Sequence, residues 1–185
     1  MRPIEFADEE YRSSSSCQVC HPSQYRSWHA SYHRTMTQVA TAETVIGDFD
    51  NVSLNFQGLG YQLYRGEQGE FMVAMEFADQ GSGGGVVHLP IVMTTGSHHQ
   101  QTYWVASRWG FELLQFPWEF HIAEKLWFPT EDAELRQESQ ERYSGHWNSS
   151  CIHCHSVAPN PGFLEPGSTR VLSDEADSAF VIPGI

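Results

Sequence analysis

Lysine is nearly absent from the sequence, and its absence excludes one large class of functions. Lys125 is the only lysine, and with nine arginines against 23 acidic residues the 185-residue chain has a formal charge of −13. Proteins that bind nucleic acid neutralise phosphate groups with clustered lysine and arginine side chains. The sequence has no such basic stripe, so we expect no nucleic-acid partner.

Long apolar runs are also missing. A membrane-spanning helix needs about 20 consecutive apolar residues, and every apolar stretch here is broken earlier by Gly, His or Arg. We therefore expect no membrane span. Four acidic residues stand among the first ten, where an export leader would place apolar ones. With 40% apolar and 13% aromatic residues, the chain still has enough material for the core of one globular domain.

Cysteine is absent outside two short motifs, so none is left for a disulfide. The motifs are Cys17-Gln18-Val19-Cys20-His21 and Cys151-Ile152-His153-Cys154-His155. This pattern is typical of c-type haem attachment, in which two thiols add to the vinyl groups of one porphyrin and the histidine binds the iron. We predict two covalently bound haem c groups, with thioether bonds at Cys17, Cys20, Cys151 and Cys154 and proximal ligands His21 and His155.

Other roles for paired cysteines are possible. C-x-x-C pairs from distant parts of a chain also form tetrahedral zinc sites, and such a zinc-stabilised, non-redox binding module would be colourless. A zinc site does not require the histidine that follows both pairs. A thioredoxin-like dithiol would follow a strand in a βαβ unit, which neither pair does.

The alternation of apolar and polar residues predicts the fold. Tyr25, Trp28 and further apolar residues at three- and four-residue steps predict a helix from Pro22 to about Ala42. Period-two alternation predicts strands at 52–56, 61–65 and 71–77, followed by more β-favouring sequence at 86–94 and 102–116. We expect an α+β fold, in which a small antiparallel sheet lies between the two haem-attachment segments, with few helices and much loop.

Two further segments follow these strands. Residues 118–128 fit neither period, whereas 130–143 have the charge pattern of a solvated helix. The predicted domains are a flexible arm at 1–16, a dihaem domain at 17–165 and a surface tail at 166–185.

The other histidines are the first candidates for the distal iron ligands. His29 and His33 lie one turn apart on the predicted helix, and His98 and His99 follow Thr95-Gly96-Ser97 in a predicted tight loop. We expect His99 ahead of His98, with His29 a weaker candidate. His/Met ligation through Met36 or Met93 is the alternative and would raise the reduction potential.

The first motif and the residues after it resemble a known family. The stretch from Cys17 to His33 contains C-x-x-C-H, then Trp28, then Ser31-Tyr32-His33. This arrangement is similar to that of multihaem cytochromes with a cytochrome c-552/c-554-like haem domain. Further similar segments between 16 and 165 are Gly47-Asp48-Phe49, Thr95 to Gln101 with Tyr103-Trp104, and Trp147 to Cys151.

The resemblance carries implications for ligands and for length. It implies that His33 is a distal ligand, either of its own haem or of a neighbouring one. Longer relatives carry another C-x-x-C-H soon after the second motif, so we expect this chain to be a fragment of a protein with further haem domains. Because haem is attached outside the bacterial cytoplasm, we expect a periplasmic or otherwise extracytoplasmic protein whose export leader is missing from this sequence.

These features predict single-electron transfer between redox partner proteins rather than catalysis. The alternative is a haem enzyme that binds a small inorganic nitrogen or sulfur species at an open iron. Such a site would carry clustered Arg or Lys to hold an anion, and no such cluster is apparent in the sequence.

Overall fold

Antiparallel β-structure dominates the chain. The computed structural model describes residues 4–7, 14–77, 84–106, 113–132, 145, 147–149, 151–155, 157–160, 169–173 and 178–182. The strands in these ranges are β1 (Ile4–Ala7), β2 (Thr37–Val39), β3 (Val52–Phe56), β4 (Leu59–Arg65), β5 (Phe71–Phe77), β6 (Gly85–Thr95), β7 (Gln100–Ala106), β8 (Leu113–His121), β9 (Leu126–Pro129), β10 (Val157–Asn160), β11 (Thr169–Ser173) and β12 (Ser178–Ile182). The helices are α1 (Ser14–Cys17), α2 (Pro22–His29) and α3 (Ile152–His155), and Thr130–Asp132 and Trp147–Ser149 form 3-10 turns.

The main sheet joins seven strands in sequence order, from β3 to β9, and β2 is added beside β6. Tight hairpins explain this simple order. Gln57 and Gly58 connect β3 to β4 with φ values of 51° and 79°, the left-handed pair that matches the twist of a two-residue hairpin. Gly69, with φ of 85°, lies in the turn between β4 and β5. Short local connections therefore place each strand beside the next.

The sheet curls until strands far apart in its order face each other. Tyr61 on β4 contacts the ring of Phe116 on β8 at 5.7 Å, and Phe56 on β3 contacts Trp118 on β8 at 6.0 Å, both edge to face. The main core fills this nearly closed space. Its buried residues are Ala40, Val45, Phe49, Tyr61, Leu63, Phe71, Val73, Ile91, Tyr103, Val105, Phe116, Trp118 and Phe120.

Strand β6 connects the two halves of the sheet. Its first half pairs with β5, up to Pro90 opposite Met72, and its second half pairs with β7 on one side and β2 on the other. A second core lies on the opposite face of β6, β7 and β8. Its buried residues are Val92, Met93, Trp104, Ala106, Leu113, Trp147 and Ile152. The segment that carries the second cysteine motif therefore covers the outer face of the sheet.

The predicted fold class was wrong. The sheet is not a small one between two haem segments but a nearly closed sheet of seven consecutive strands with few helices. Its extent was missed because the part of β8 that pairs with β9 fits no period. Strand β8 is also irregular, since Gln115 to Glu119 lie opposite only Thr102 to Trp104 of β7. Such irregularities shift the alternation on which strand prediction depends.

The predicted helix at 22–42 was too long. Helix α2 ends at His29, and Thr37–Val39 forms a strand that pairs with Met93–Thr95. Of the predicted helix at 130–143, only the 3-10 turn Thr130–Asp132 lies within the described residues, and 133–143 lie outside them.

The chain ends contribute to a separate four-stranded sheet with the order β1-β12-β11-β10. Parts of the predicted arm at 1–16 and of the predicted tail at 166–185 are therefore strands. The boundaries of the three predicted domains stay predictions. In the described part of the chain, no helix is long and apolar enough to cross a membrane.

Candidate haem sites

Both cysteine motifs adopt the same local backbone turn. The amide of His21 donates to the carbonyl of Cys17 at 2.8 Å, and the amide of His155 donates to the carbonyl of Cys151 at 3.0 Å. This i to i+4 bond brings the first cysteine and the histidine of each motif to one side of a helical turn. Each motif can therefore present a thiol and an imidazole in the same direction, as haem c attachment requires.

The first motif lies at the surface. Cys17, Cys20 and His21 are all exposed, and Val19 between the cysteines is 89% exposed. Helix α2 follows at once because Pro22 suits the first helical position. None of the α2 residues is buried. The first motif thus rests on a helix that packs little against the sheet.

The second motif is anchored in the fold. Ile152, inside the motif, and Trp147, just before it, are fully buried in the second core. Asn148 accepts a hydrogen bond from the amide of Leu113 on β8 at 2.8 Å. The hydroxyl of Thr37 on β2 donates to the carbonyl of His155 at 2.8 Å. These contacts fix the motif between β2 and β8. The His155 side chain itself is exposed, and its partial desolvation lowers the pKa of the imidazole.

A cavity of about 620 Å³ opens beside the second motif. Cys151 and His155 line one side, and His98 and His99 of the loop between β6 and β7 also line it. Its volume is in the range of protein sites that hold a cofactor. The remaining lining residues are Tyr32, Met36, Thr95, Gly96, Ser97, Gln100, Thr102, Trp104, Gln115 and Trp147.

The loop that carries His98 and His99 is fixed at both ends. Gly96 has φ of 88°, a conformation that favours glycine, and a side chain there would collide with the carbonyl of Gln100. The carbonyl of His99 accepts a hydrogen bond from the amide of Ile122 at 2.9 Å. Tyr32 stacks on His98 with ring centroids 3.8 Å apart. The loop backbone and the His98 ring are thus held beside the cavity.

Buried Gln101 connects this loop to the main core. Its amide nitrogen donates to the carbonyls of Thr44 at 2.8 Å and Gly96 at 3.3 Å, and its oxygen accepts from Tyr103 at 2.7 Å. Burial raises the pKa of the Tyr103 hydroxyl, so this group stays a neutral hydrogen-bond donor.

A second, more open cavity of about 520 Å³ lies against α2. His33 and Trp28 line it together with Ser23, Gln24, Ser27 and Ser31. The rings of His33 and Trp28 are stacked with centroids 6.4 Å apart. His33 therefore lies beside the first motif's helix and outside the lining of the larger cavity.

Most of the other histidines and methionines considered as ligands lie outside the larger cavity, and Met36 is the exception. His29 contacts the ring of Tyr25 at 4.9 Å, and His88 shares a hydrogen bond with the Tyr64 hydroxyl at 2.8 Å. Met93 is buried in the second core, whereas Met36 lines the larger cavity. His146 and the side chains of His153 and Cys154 lie outside the described residues.

The larger cavity fits a covalently bound haem c. It offers the thiol of Cys151 and the imidazole of His155 from one motif, imidazoles from a separate loop, and the indole rings of Trp104 and Trp147 for packing against a porphyrin. Its described lining contains no Arg or Lys. Among the described side chains, no group of three or more His, Cys, Asp or Glu residues could hold a metal ion directly.

One comparison with known proteins gives a match. Residues 16–52, about a fifth of the chain, match the family model for cytochrome c554 and c-prime. No curated protein and no solved structure matches the chain. The matched segment contains the first motif, α2, His33 and strand β2, but not the second motif.

The match supports a c-type cytochrome-like family. It supports covalent haem binding, electron transfer and redox partner proteins in general terms, and such cytochromes are typically extracytoplasmic.

Proposed function

We propose that this chain is a dihaem c-type electron carrier. Cys17, Cys20 and His21 hold the first haem, and Cys151, Cys154 and His155 hold the second. The observation that carries the proposal is the cavity of about 620 Å³, whose lining joins Cys151 and His155 of one motif to the His98–His99 loop. Two segments more than 50 residues apart thus bring imidazoles to one porphyrin-sized space.

Each haem iron, when bound, supplies a one-electron redox couple. The chain's own residues set the conditions for this couple. His155 would bind the iron from the second motif, and a histidine of the His98–His99 loop would bind it from the other side of the cavity, which would leave no site open for a substrate. The aromatic rings of Trp104 and Trp147 exclude water from one side of the cavity, and lower polarity around an iron changes its reduction potential.

For the distal ligand of the second haem we propose His99. The face of the His98 ring is already engaged by Tyr32, and His99 lies at the same cavity. His98 and Met36 are the competing ligands from the same lining. His33 serves the first haem or a neighbouring one from the α2 cavity, with His29 as a weaker candidate.

The biological setting follows from this chemistry. Covalent attachment places the protein outside the cytoplasm, where it passes electrons between redox partner proteins. Further haem domains in a longer parent chain would be partners of the same kind. His155 of the second motif and the His98–His99 loop both bring imidazoles to the cavity. We therefore propose electron transfer and assign no substrate to this chain.

Spectroscopy of the holoprotein tests the ligand assignment. His99→Ala should turn one haem partly high-spin and let the reduced protein bind carbon monoxide, whereas Met36→Leu and His98→Ala should stay low-spin. If Met36→Leu is the variant that becomes high-spin, the second haem has His/Met ligation. A wild-type protein that is already high-spin and binds carbon monoxide would contradict the proposed electron carrier and favour the enzyme alternative.

A further inference from the structure

Two walls of the larger cavity must keep a fixed separation if both are to supply axial ligands. One wall is α3, which ends at His155, and the other is the loop from Gly96 to His99. These walls are distant in sequence. The structure connects both of them to one tripeptide, Thr35-Met36-Thr37, which belongs to the segment that follows the first motif's helix.

The last residue of the tripeptide holds the His155 wall. Thr37 is 8% exposed, and its hydroxyl donates to the carbonyl of His155 at 2.8 Å. Carbonyl groups in the last turn of a helix have no partner within that helix, so a side-chain donor is the natural way to satisfy this one. The bond acts on the backbone of the same residue that bears the proximal imidazole.

The first two residues hold the other wall. The hydroxyls of Thr35 and Ser97 are 2.7 Å apart and share a hydrogen bond, and the carbonyl of Met36 accepts from the amide of Gly96 at 2.7 Å. Ser97 directly precedes the two loop histidines. The tripeptide thus contacts the loop through the Thr35 side chain and through the Met36 backbone.

The sheet keeps the tripeptide itself in place. Thr37 pairs with Thr95 in the antiparallel ladder between β2 and β6, and Val39 pairs with Met93. Thr35 and Met36 lie in the turn directly before this strand, so the tripeptide that connects the two walls is held by the sheet at its last residue. Side chains on strands are better fixed than side chains on loops, which makes this a suitable place from which to position ligands.

We propose that Thr35, Met36 and Thr37 form a clamp that sets the separation of the two cavity walls, with Thr35 and Thr37 as positioning residues for the second haem. The inference rests on the proposed function, because it concerns the same cavity. It also makes the segment after the first motif a part of the second site, so that the two haem sites are mechanically connected through the five residues from His33 to Thr37.

Isosteric variants of the holoprotein test the clamp. Thr37→Val removes the hydroxyl but keeps the side-chain shape, and Thr37→Ser restores the hydroxyl. Thr130→Val is the matched control, because Thr130 is also buried but its hydroxyl has no hydrogen-bond partner in the described part of the chain. We expect Thr37→Val to shift the midpoint potential and the low-spin electron paramagnetic resonance signal of one haem only, Thr37→Ser to restore both, and Thr130→Val to leave both unchanged.

Hydrogen exchange provides a readout that does not depend on the iron. Thr37→Val should speed amide exchange in 151–155 and Thr35→Val in 96–99, each about fivefold, the factor that one net hydrogen bond corresponds to. Exchange in 61–75 should stay unchanged. Unaltered exchange and spectra in both valine variants would overturn the clamp while leaving the haem assignments intact. A wild-type protein without two haems would instead contradict the proposed function, and the exchange result would still decide whether the clamp exists.

Discussion

The two cysteine motifs have the same five-residue pattern and the same backbone turn, but they are held in opposite ways. Around the first motif, Val19 is 89% exposed and Trp28 is 39% exposed, whereas around the second, Ile152 and Trp147 are fully buried. The first motif's segment matches a cytochrome family model, and the second motif lies outside that match. Sequence similarity therefore supports one site and packing supports the other.

This difference shows that the attachment of a haem and the environment of its iron depend on different parts of the structure. A C-x-x-C-H motif needs only one helical turn to present its thiols and its imidazole, and both motifs form that turn. The environment of the iron depends on what surrounds the turn. In the second motif, the sheet supplies buried aromatic rings and a fixed histidine loop, so we expect its haem to be the better shielded of the two.

Replacement of one tryptophan beside each motif should show the largest contrast. Trp147→Ala removes a fully buried side chain from the second core, which should lower the free energy of unfolding by about 3–5 kcal/mol. Trp28→Ala, beside the first motif, removes a partly exposed side chain and should cost much less. Urea denaturation of the holoproteins measures both values, and equal losses would contradict the difference in packing.

An exchange of equivalent motif residues should give the next largest effect. Ile152 in the second motif corresponds to Gln18 in the first, and Gln18 is exposed. Ile152→Gln buries an amide in an apolar core and should cost about 2–4 kcal/mol. Gln18→Ile changes a surface position and should stay within about 0.5 kcal/mol. Thermal unfolding of the two variants provides the comparison, and a costly Gln18→Ile change would show that the first motif is also packed.

The smallest effect concerns pH. Partial desolvation lowers the pKa of His155, so the folded haem-free chain binds this proton less readily than the unfolded chain does. Its stability should therefore decrease as the pH falls through the ordinary histidine value of about 6.5 and be fully present above it. In a haem-free variant with all four cysteines changed to serine, His155→Gln should reduce this dependence of the urea midpoint. An unchanged pH dependence would mean that other groups cause it.

The sequence predicts short-range features of this protein well and long-range ones poorly. The strands at 52–56 and 71–77 are confirmed, because alternation is a property of neighbouring residues. The end of α2 at His29 was missed because Thr37–Val39 pairs with β6, more than 50 residues away. Periodicity contains no information about such a partner. A segment with helical spacing was therefore predicted to be helical, although part of it forms a strand.

The candidate sites show the same division. Both motifs and the His98–His99 loop could be selected from local patterns, and the second motif and the loop turn out to line one cavity. Their meeting could not be predicted, because it depends on how β6 and β7 place the loop opposite α3. Thr35 and Thr37 were missed altogether. A threonine in an ordinary polar stretch gives no sequence signal that its hydroxyl reaches a carbonyl 118 residues later.

Haem stoichiometry tests the central claim most directly. The protein should be produced with an export leader and the haem-attachment machinery, and its haem c should be counted per chain from the pyridine haemochrome spectrum. The account predicts two haems in the wild type, and one in each double variant, Cys17→Ser with Cys20→Ser and Cys151→Ser with Cys154→Ser. A wild-type chain with one haem or none would contradict it, and a colourless protein that contains zinc would favour the non-redox binding module.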